Sequence, residues 1–212
     1  MFKKLSVSLA KKFLERSVKH LLWLRDDYLT KTGWMKSLKC GECLDTSGDP
    51  IPWFSYPALH FLESCLTKNM KIFEFGSGNS TLYFAKRCKS VVSFENKEEW
   101  VFRTKKLTKN LENVEVFWRD GVSYFQPETE EKFDVVVVDG LHRNECCESA
   151  VMLLREGGVI ILDNAERAEY DAGEKFLLGL GFKRLGFFGL APLNHYAQDT
   201  SIFYREGNCF GI

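Results

Sequence analysis

The amino-acid sequence predicts a doubly wound α/β fold: a mostly parallel, seven-stranded sheet with an antiparallel last strand, preceded by an N-terminal helical extension. Apolar strand-like runs alternate with helical patterns from residue 57 onward, as in repeated strand–helix units. Residues 135–138 are all valine, which is typical of a central parallel strand buried on both faces. No helical pattern separates the last two strand-like runs, so we expect them to pair antiparallel. We therefore divide the chain into an extension, residues 1–56, and a domain, residues 57–212.

The extension combines a basic helix with an aromatic connector. Apolar side chains recur every three to four positions in residues 2–30, which predicts a helix. Residues 1–25 carry seven Lys or Arg and one Glu, a net charge of +6. We interpret this helix as packing on the domain or on a second subunit, and peripheral contact with an anionic membrane is the alternative. The connector, residues 31–57, is rich in turn residues, and its Trp53 and Tyr56 serve either as packing or as a pocket wall that contacts substrate.

The first elements of the domain are marked by apolar runs and by a glycine turn. The first strand ends at a turn containing Gly76 and Gly78, and either Asn79 or Ser80 is a good N-cap for the helix that follows. The predicted elements are a helix at 57–67, a strand at 71–75, a helix at 80–87, a strand at 90–95, a helix at 97–110 and a strand at 114–118.

The remaining elements continue the same alternation. After a short helix near Val122, the valine run forms the fourth strand, and Gly179 and Gly181 close the last helix. The predicted elements are a strand at 133–139, a helix at 145–155, a strand at 158–162, a helix at 167–180 and two final strands at 182–188 and 200–205.

Composition sets broad limits on function. The chain has 212 residues, of which 45% are hydrophobic and 27% charged, with zero net charge and a pI near 6.9. Because a nucleic-acid-binding domain is expected to be basic, we expect no nucleic-acid partner. No apolar run is long enough to span a membrane, and Lys11 and Lys12 interrupt the apolar segment that a signal peptide would need. Nothing in the sequence specifies an oligomeric state.

Cysteine usage indicates a cytoplasmic protein. The seven cysteines are not accompanied by an export signal, which favours a reducing compartment. Cys40 and Cys43 form one Cys-x-x-Cys pair, but structural zinc needs four ligands and there is no second pair. We interpret the thiols as incidental, with a redox or metal role for this pair as the alternative.

Polar residues follow five successive predicted strands. The first strand runs through Glu74 into the Gly-x-Gly turn, a turn that lets a nucleotide-type ligand approach the backbone and the helix N-terminus. A carboxylate at that turn suits a cationic ligand better than a pyrophosphate. The other strands end in Glu95, Asp120-Gly121, Asp139 and Asp163-Asn164. Ligands of doubly wound sheets bind beyond these strand ends, so the residues predict a binding site.

These motifs resemble those of the class I S-adenosylmethionine-dependent methyltransferases, over roughly residues 56–205. The resemblance implies a Rossmann-like fold and S-adenosylmethionine as cofactor. It also implies that Glu95 binds the ribose, that Asp120 reaches the adenine and that Gly121 flanks it. The glycine turn would hold the methionine part of the cofactor. The residues assigned to the cofactor at this turn and at the end of the fourth strand are Glu74, Gly76, Ser77, Gly78, Asn79, Ser80 and Asp139.

Two other functions stay open at this point. An NAD-type oxidoreductase would have glycine where this chain has Thr81, so the turn favours the methyltransferase. A catalytically inactive cofactor-binding module is the other alternative, and the polar residues from Asp139 to Asn164 argue against it.

The predicted reaction is O-methylation of a small hydroxylated molecule or sugar. His142 is the candidate base, because an imidazole titrates near neutrality, and Asp139 is the second catalytic candidate. Arg143 is a candidate for binding an anionic acceptor. The chain also resembles metal-dependent O-methyltransferases in three residues, Asp139, Asp163 and Asn164, which would ligate Mg²⁺. It departs from them at His142, where a catechol-type enzyme has lysine, and a metal-free hydrogen-bonding role for the three residues is the alternative.

Overall fold

The computed structural model describes Lys12 and residues 28–212. Most of the helix predicted at residues 2–30 lies outside the described residues, and its C-terminal end is helix α1 (Tyr28–Lys31). The connector contains a second short helix, α2 (Trp34–Cys40), where we predicted a loop. None of the described helices is long and apolar enough to cross a membrane.

Seven strands form one sheet in the order β3-β2-β1-β4-β5-β7-β6. They are β1 (Lys71–Phe75), β2 (Ser90–Glu95), β3 (Val114–Trp118), β4 (Phe133–Val138), β5 (Leu154–Asp163), β6 (Lys183–Leu190) and β7 (Ala197–Tyr204). Strand β7 runs antiparallel to both β5 and β6, and the pairings among β1 to β5 are parallel. The predicted fold class is therefore confirmed.

The helices lie between the strands as the sequence predicts. They are α3 (Tyr56–Cys65), α4 (Asn79–Ala85), α5 (Glu98–Leu107), α6 (Val122–Phe125), α7 (Arg143–Leu153) and α8 (Asp171–Gly179), with a 3₁₀ turn at Ala168–Tyr170 before α8. The single helix predicted at 167–180 is thus divided in two. Strand β5 begins at Leu154 rather than at residue 158, because the Gly157-Gly158 pair lies inside an irregular stretch of its pairing with β4.

The sheet is buried on both faces, which explains the run of valines in β4. Successive side chains of a strand point to opposite faces. Val135 and Val137 accordingly pack in one apolar layer with Leu62 of α3, while Val136 and Val138 pack in the other with Cys147 of α7. This arrangement brings the C-terminal ends of the parallel strands to one edge of the sheet.

Candidate active site

A cavity of about 510 Å³ lies at that edge, a volume suited to a small ligand. One part, which we call the turn half, is lined by the glycine turn, the end of β2 and the connector: Gly41, Glu42, Cys43, Gly76, Ser77, Gly78, Asn79, Ser80, Glu95, Asn96, Lys97, Trp100 and Arg103. The other part, the rim half, is lined by Trp53, Asp139, Gly140, Leu141, Arg143, Asp163, Asn164, Arg167, Leu193, Asn194, Tyr196 and Gln198. The cavity therefore joins most of the predicted cofactor residues to the predicted acceptor rim.

The glycine turn is held against the end of β4. Gly76 has φ 107°, and a Cβ atom built there would lie 2.9 Å from the carbonyl oxygen of Asp139. Only glycine fits both this backbone conformation and this close approach. The N–H of Gly76 donates to the Phe94 carbonyl at 2.8 Å, which fixes the turn between β2 and β4.

Glu95 forms the wall of the turn half next to this turn. Its Oε2 accepts from the Ser77 N–H at 2.9 Å, and its Oε1 accepts from the N–H groups of Asn96 at 2.9 Å and Lys97 at 3.0 Å. These bonds orient the carboxylate before a ligand arrives. The Ser77 hydroxyl is 3.3 Å from Glu95 Oε2 and 3.1 Å from the Thr104 hydroxyl. If the Ser77 hydroxyl donates to Thr104 instead of Glu95, a lone pair of Oε2 is free to accept from a ligand hydroxyl.

Glu74 lies beneath the turn and does not line the cavity. Its side chain is only 1% exposed, and its Oε2 accepts from the Ser93 hydroxyl at 2.7 Å, while Oε1 has no hydrogen-bond partner within the described part of the chain. Burial raises the pKa of Glu74 to about 7. The direct cofactor contact predicted for Glu74 does not fit this buried position, where its carboxyl group bonds to Ser93 of β2.

Asp120 and Gly121 stand outside the cavity lining, where both are exposed. The Asp120 carboxylate accepts from the Gly121 N–H at 2.7 Å, and the preceding Arg119 N–H donates to the Glu95 carbonyl at 2.9 Å. The pair therefore lies beyond the end of β3, beside the turn half but outside its lining. The adenine contact assigned to Asp120 stays a prediction.

Asp139, Asp163 and Asn164 come together in the rim half, as the sequence predicts. Asp163 is 3% exposed, and its Oδ1 accepts from the Thr200 hydroxyl at 2.6 Å and from the Gln198 amide at 3.2 Å. Burial raises the pKa of Asp139, and burial together with the Asp139 charge raises the pKa of Asp163 well above its usual range. Arg143 opposes both shifts.

Arg143 is buried among these acids and is not free to bind an acceptor. Its side chain is 8% exposed and makes hydrogen bonds through all three nitrogens. Nε donates to the Gly140 carbonyl at 3.0 Å, Nη2 to Asp139 Oδ1 at 3.0 Å, and Nη1 to Asn164 Oδ1 at 3.1 Å and to the Asp163 carbonyl. The substrate role predicted for Arg143 is therefore not supported, because its donors already bind the protein.

His142 does not point into the cavity. The residue is exposed and absent from the cavity lining, and its ring centroid lies 5.4 Å from that of Phe125. Its backbone adopts the left-handed conformation, at φ 52°, immediately before α7. This turn directs Arg143 rather than His142 toward the strand ends, so the geometry does not support the predicted base.

The three predicted metal ligands do not fit a metal site. The guanidinium of Arg143 already bonds to oxygen atoms of Asp139 and Asn164, and Asp163 is bonded by Gln198 and Thr200. Mg²⁺ was therefore predicted at a position where the chain places a cation of its own.

The two aromatic residues of the connector have different positions. Trp53 lines the rim half with 49% of its surface exposed, and its Nε1 donates to Asn194 Oδ1 at 3.2 Å. Tyr56 is 4% exposed and is not part of the lining, so its predicted substrate contact is wrong in this geometry. Cys43 is also buried, and burial raises its thiol pKa to about 12, which opposes a redox role for the Cys-x-x-Cys pair.

Sequence reasoning missed the polar residues of β7. Gln198 and Thr200 lie on the same face of this strand and bond to Asp163, and Asn194 Nδ2 donates to Gln198 Oε1 at 2.6 Å. The two final strands were predicted at 182–188 and 200–205, so Gln198 fell in the connection between them. The available signal was the run of four polar residues at 198–201, which is unusual in an interior strand of a sheet.

A family model described as "Methyltransferase domain" matches residues 73–165, which run from β1 to the residue after Asn164. The match spans 93 of the 212 residues, so this part of the chain is similar to a methyltransferase domain. The prediction of a methyltransferase is thus confirmed, and the match covers the glycine turn, Glu95 and the rim residues Asp139, Asp163 and Asn164. The chain matches none of the curated proteins with which it was compared.

Solved structures with this fold include several methyltransferases. An rRNA methylase from Streptococcus thermophilus is 21% identical with a TM-score of 0.55, over 70% of this chain and 93% of that one. A SAM-dependent O-methyltransferase from Thermotoga maritima is 16% identical with a TM-score of 0.54, over 70% and 64%. Aeropyrum pernix fibrillarin, solved with natively bound S-adenosyl-L-methionine, is 12% identical with a TM-score of 0.53, over 66% and 68%.

The expectation that nucleic acid is excluded as a partner is wrong. The fold of this chain is also that of an rRNA methylase, so the fold accommodates such a partner. Net charge misled the prediction because a sum over the whole chain does not report local charge: the neutral total conceals a +6 segment at residues 1–25.

Proposed function

We propose that this protein transfers the methyl group of S-adenosylmethionine to a hydroxyl group of a small acceptor. The observation that carries the proposal is that the glycine turn, Glu95 and the rim of Asp139, Asp163 and Asn164 line one and the same cavity. The cofactor supplies an electrophilic methyl group when bound. The protein has to orient the acceptor, exclude water and accept the hydroxyl proton.

The turn half suits the cofactor in its chemistry. Glu95 presents an oriented carboxylate for ribose hydroxyls, and the backbone of Gly76 to Ser80 lines the same wall. Asn79 Nδ2 donates to the Cys43 carbonyl at 3.1 Å, which draws the connector over this half. Exclusion of water from a methyl-transfer site follows naturally from such a cover.

The rim half suits an acceptor with an apolar face and a hydroxyl group. Trp53, Leu193 and Tyr196 supply apolar surface, while Asp139 and Asn164 supply polar atoms. In this proposal Asp139, rather than His142, accepts the proton, because Asp139 lines the cavity and burial raises its pKa above the ordinary value of an aspartate, which makes the carboxylate a stronger base.

Calorimetric titration with S-adenosylhomocysteine tests cofactor binding. We expect the wild-type protein to bind it and Glu95→Gln to lose about tenfold in affinity, about 1.4 kcal/mol, because the amide is a poorer acceptor for ribose hydroxyls. Glu99→Gln is the matched control, since Glu99 is exposed and absent from the lining. Binding of NAD in place of S-adenosylhomocysteine would return the chain to the oxidoreductase alternative.

Turnover of a methyl-labelled cofactor tests the acceptor and the base. The protein is incubated with labelled S-adenosylmethionine and a cell extract separated into RNA and small-molecule fractions. We expect label in the small-molecule fraction, and label in RNA alone would overturn the acceptor class. Asp139→Asn should lower the rate by a factor on the order of 100 or more, and His142→Gly should retain it. The reverse ranking would restore His142 as the base.

A further inference from the structure

Arg143 occupies a position in the rim half that its place in the sequence did not indicate. It is the first residue of α7 and follows a left-handed residue, so its side chain turns back toward the strand ends rather than outward. The guanidinium is enclosed by Asp139, Asp163 and Asn164 and stacks on the ring of Tyr170, with its central carbon 4.8 Å from the ring centroid. These contacts fix a full positive charge at the centre of the rim.

The guanidinium binds the same oxygen atoms that a divalent cation would need. Its Nη2 and Nη1 donate to Asp139 Oδ1 and Asn164 Oδ1, at 3.0 and 3.1 Å. Asp163 is held from the other side by the side chains of Gln198 and Thr200. A small hard cation would have to displace these donors and to approach a buried positive charge in a medium of low dielectric constant.

We propose that Arg143 replaces the divalent cation in this active site, as a built-in organic cation that positions Asp139 and Asn164 for the acceptor. Arg143 is a positioning residue in this proposal, because its hydrogen bonds go to the rim residues and not to the acceptor. It follows that methyl transfer needs no metal ion, which rests on the proposed function; the absence of a metal-binding site at the rim does not.

The direct test is a titration of the full chain with Mn²⁺. Binding is measured by calorimetry and by the decrease of the electron paramagnetic resonance signal of free Mn²⁺. We expect no site in the wild-type protein at millimolar Mn²⁺. Removing the guanidinium in Arg143→Met leaves an acidic rim, so this variant should bind one Mn²⁺ at least tenfold more tightly than wild type. The double variant Arg143→Met/Asp139→Asn should lose that gain.

Arg167→Met is the matched control, because Arg167 lines the same rim but its side chain is 45% exposed. Its ion pairs with Glu169 and Glu166, within the described residues, are long, at 3.8 and 3.9 Å. Arg167→Met should not gain Mn²⁺ binding. One wild-type site that Asp139→Asn abolishes would overturn the proposal, as would a folded Arg143→Met variant that gains nothing or an equal gain in Arg167→Met. If Arg143→Met does not fold, the wild-type titration decides alone.

A parallel titration with S-adenosylhomocysteine separates this proposal from the proposed function. Wild-type protein that binds S-adenosylhomocysteine but not Mn²⁺ supports both. If the wild-type protein binds neither ligand, the proposal for Arg143 stands and the proposed cofactor is overturned. If the wild-type protein binds both ligands and Asp139→Asn abolishes the Mn²⁺ site, the proposed cofactor stands and the role proposed for Arg143 is overturned.

Discussion

Arg143 and His142 show how one backbone angle exchanges the roles of neighbouring residues. The two are adjacent, and the sequence offered the imidazole as base and the guanidinium as an acceptor contact. With His142 at φ 52°, the imidazole lies against Phe125 and the guanidinium lies among the acids. A left-handed residue other than glycine is uncommon, so this turn was not readable from the residue types.

Glu74 gives a prediction at the same scale. Its pKa is raised from an ordinary 4.5 to about 7 because the side chain is fully buried. Between these two pH values the folded protein keeps a proton that the unfolded chain has lost, so the free energy of unfolding falls as pH rises. The expected loss is about 3 kcal/mol across the window, from about 1.4 kcal/mol per pH unit.

Urea denaturation at pH 5 and pH 8 measures this loss. The free energy of unfolding of Glu74→Gln should fall less between pH 5 and pH 8 than that of the wild type, by about 2.5 kcal/mol, since the amide does not titrate and pH 5 already lies inside the window. Glu115→Gln serves as the control, because Glu115 is exposed on β3. Equal pH dependence in wild type and Glu74→Gln would show that Glu74 titrates normally.

The connector is the element that sequence reasoning described least well. Residues 31–57 were predicted as a loop, but they contain α2, and Gly41, Glu42 and Cys43 reach the turn half of the cavity. The connector is anchored by the Asn79 contact with Cys43 and by a 3.8 Å ion pair between Arg103 and Glu42. Such anchors join residues far apart in the sequence, which is why composition alone gave only turns.

Gly33 should be the critical residue for the fold of this connector. It has φ 85°, and a Cβ atom there would lie 2.6 Å from the Leu44 carbonyl oxygen. Gly33→Ala therefore combines a left-handed penalty of about 1–2 kcal/mol with a backbone clash. We expect faster hydrogen exchange in residues 34–54 and weaker binding of S-adenosylhomocysteine.

Gly41→Ala is the control for this prediction. Gly41 also has a left-handed backbone, at φ 69°, but nothing lies within 4 Å of a Cβ atom built there. The two variants share the backbone penalty and differ in the clash. Equal exchange rates in both would show that the contact with Leu44 does not hold the connector in place.

At the scale of the whole molecule, the cavity joins elements from most of the chain, so its ligand should stabilise the fold as a unit. A ligand at one hundred times its dissociation constant adds about 2.7 kcal/mol to the free energy of unfolding. For a chain of this size the melting temperature should then rise by about 5–10 °C. Thermal unfolding with and without S-adenosylhomocysteine measures the shift, and the absence of any shift would contradict the proposed cofactor.

The charge of the whole chain is uninformative because it is unevenly distributed. Residues 1–25 carry a net charge of +6 in a chain whose total is zero. This segment lies outside the described residues apart from Lys12, so its predicted contacts, with the domain, a second subunit or an anionic membrane, stay predictions. The failed exclusion of nucleic acid shows that a summed charge cannot decide between such partners.

Local patterns determined the fold and the place of the site. Alternating strand and helix patterns, the valine run in β4 and the absence of a helix before β7 were sufficient for the seven-stranded sheet. Parallel strands align their C-terminal ends, so the residues after β1, β2, β4 and β5 could be assigned to one edge. Gly76, Glu95, Asp139 and Asn164 were found in this way because each directly follows or ends a strand.

Tertiary structure alone decided which of these residues line the cavity. Glu74 and Tyr56 are buried away from the cavity, His142 lies outside its lining, and Arg143 occupies the position assigned to Mg²⁺. Side-chain direction depends on backbone angles at single positions and on contacts across the sheet, such as the bond from Thr200 to Asp163. The sequence by itself determined an α/β fold and the sheet edge at which the cavity lies; the packing of distant segments determined which side chains line that cavity.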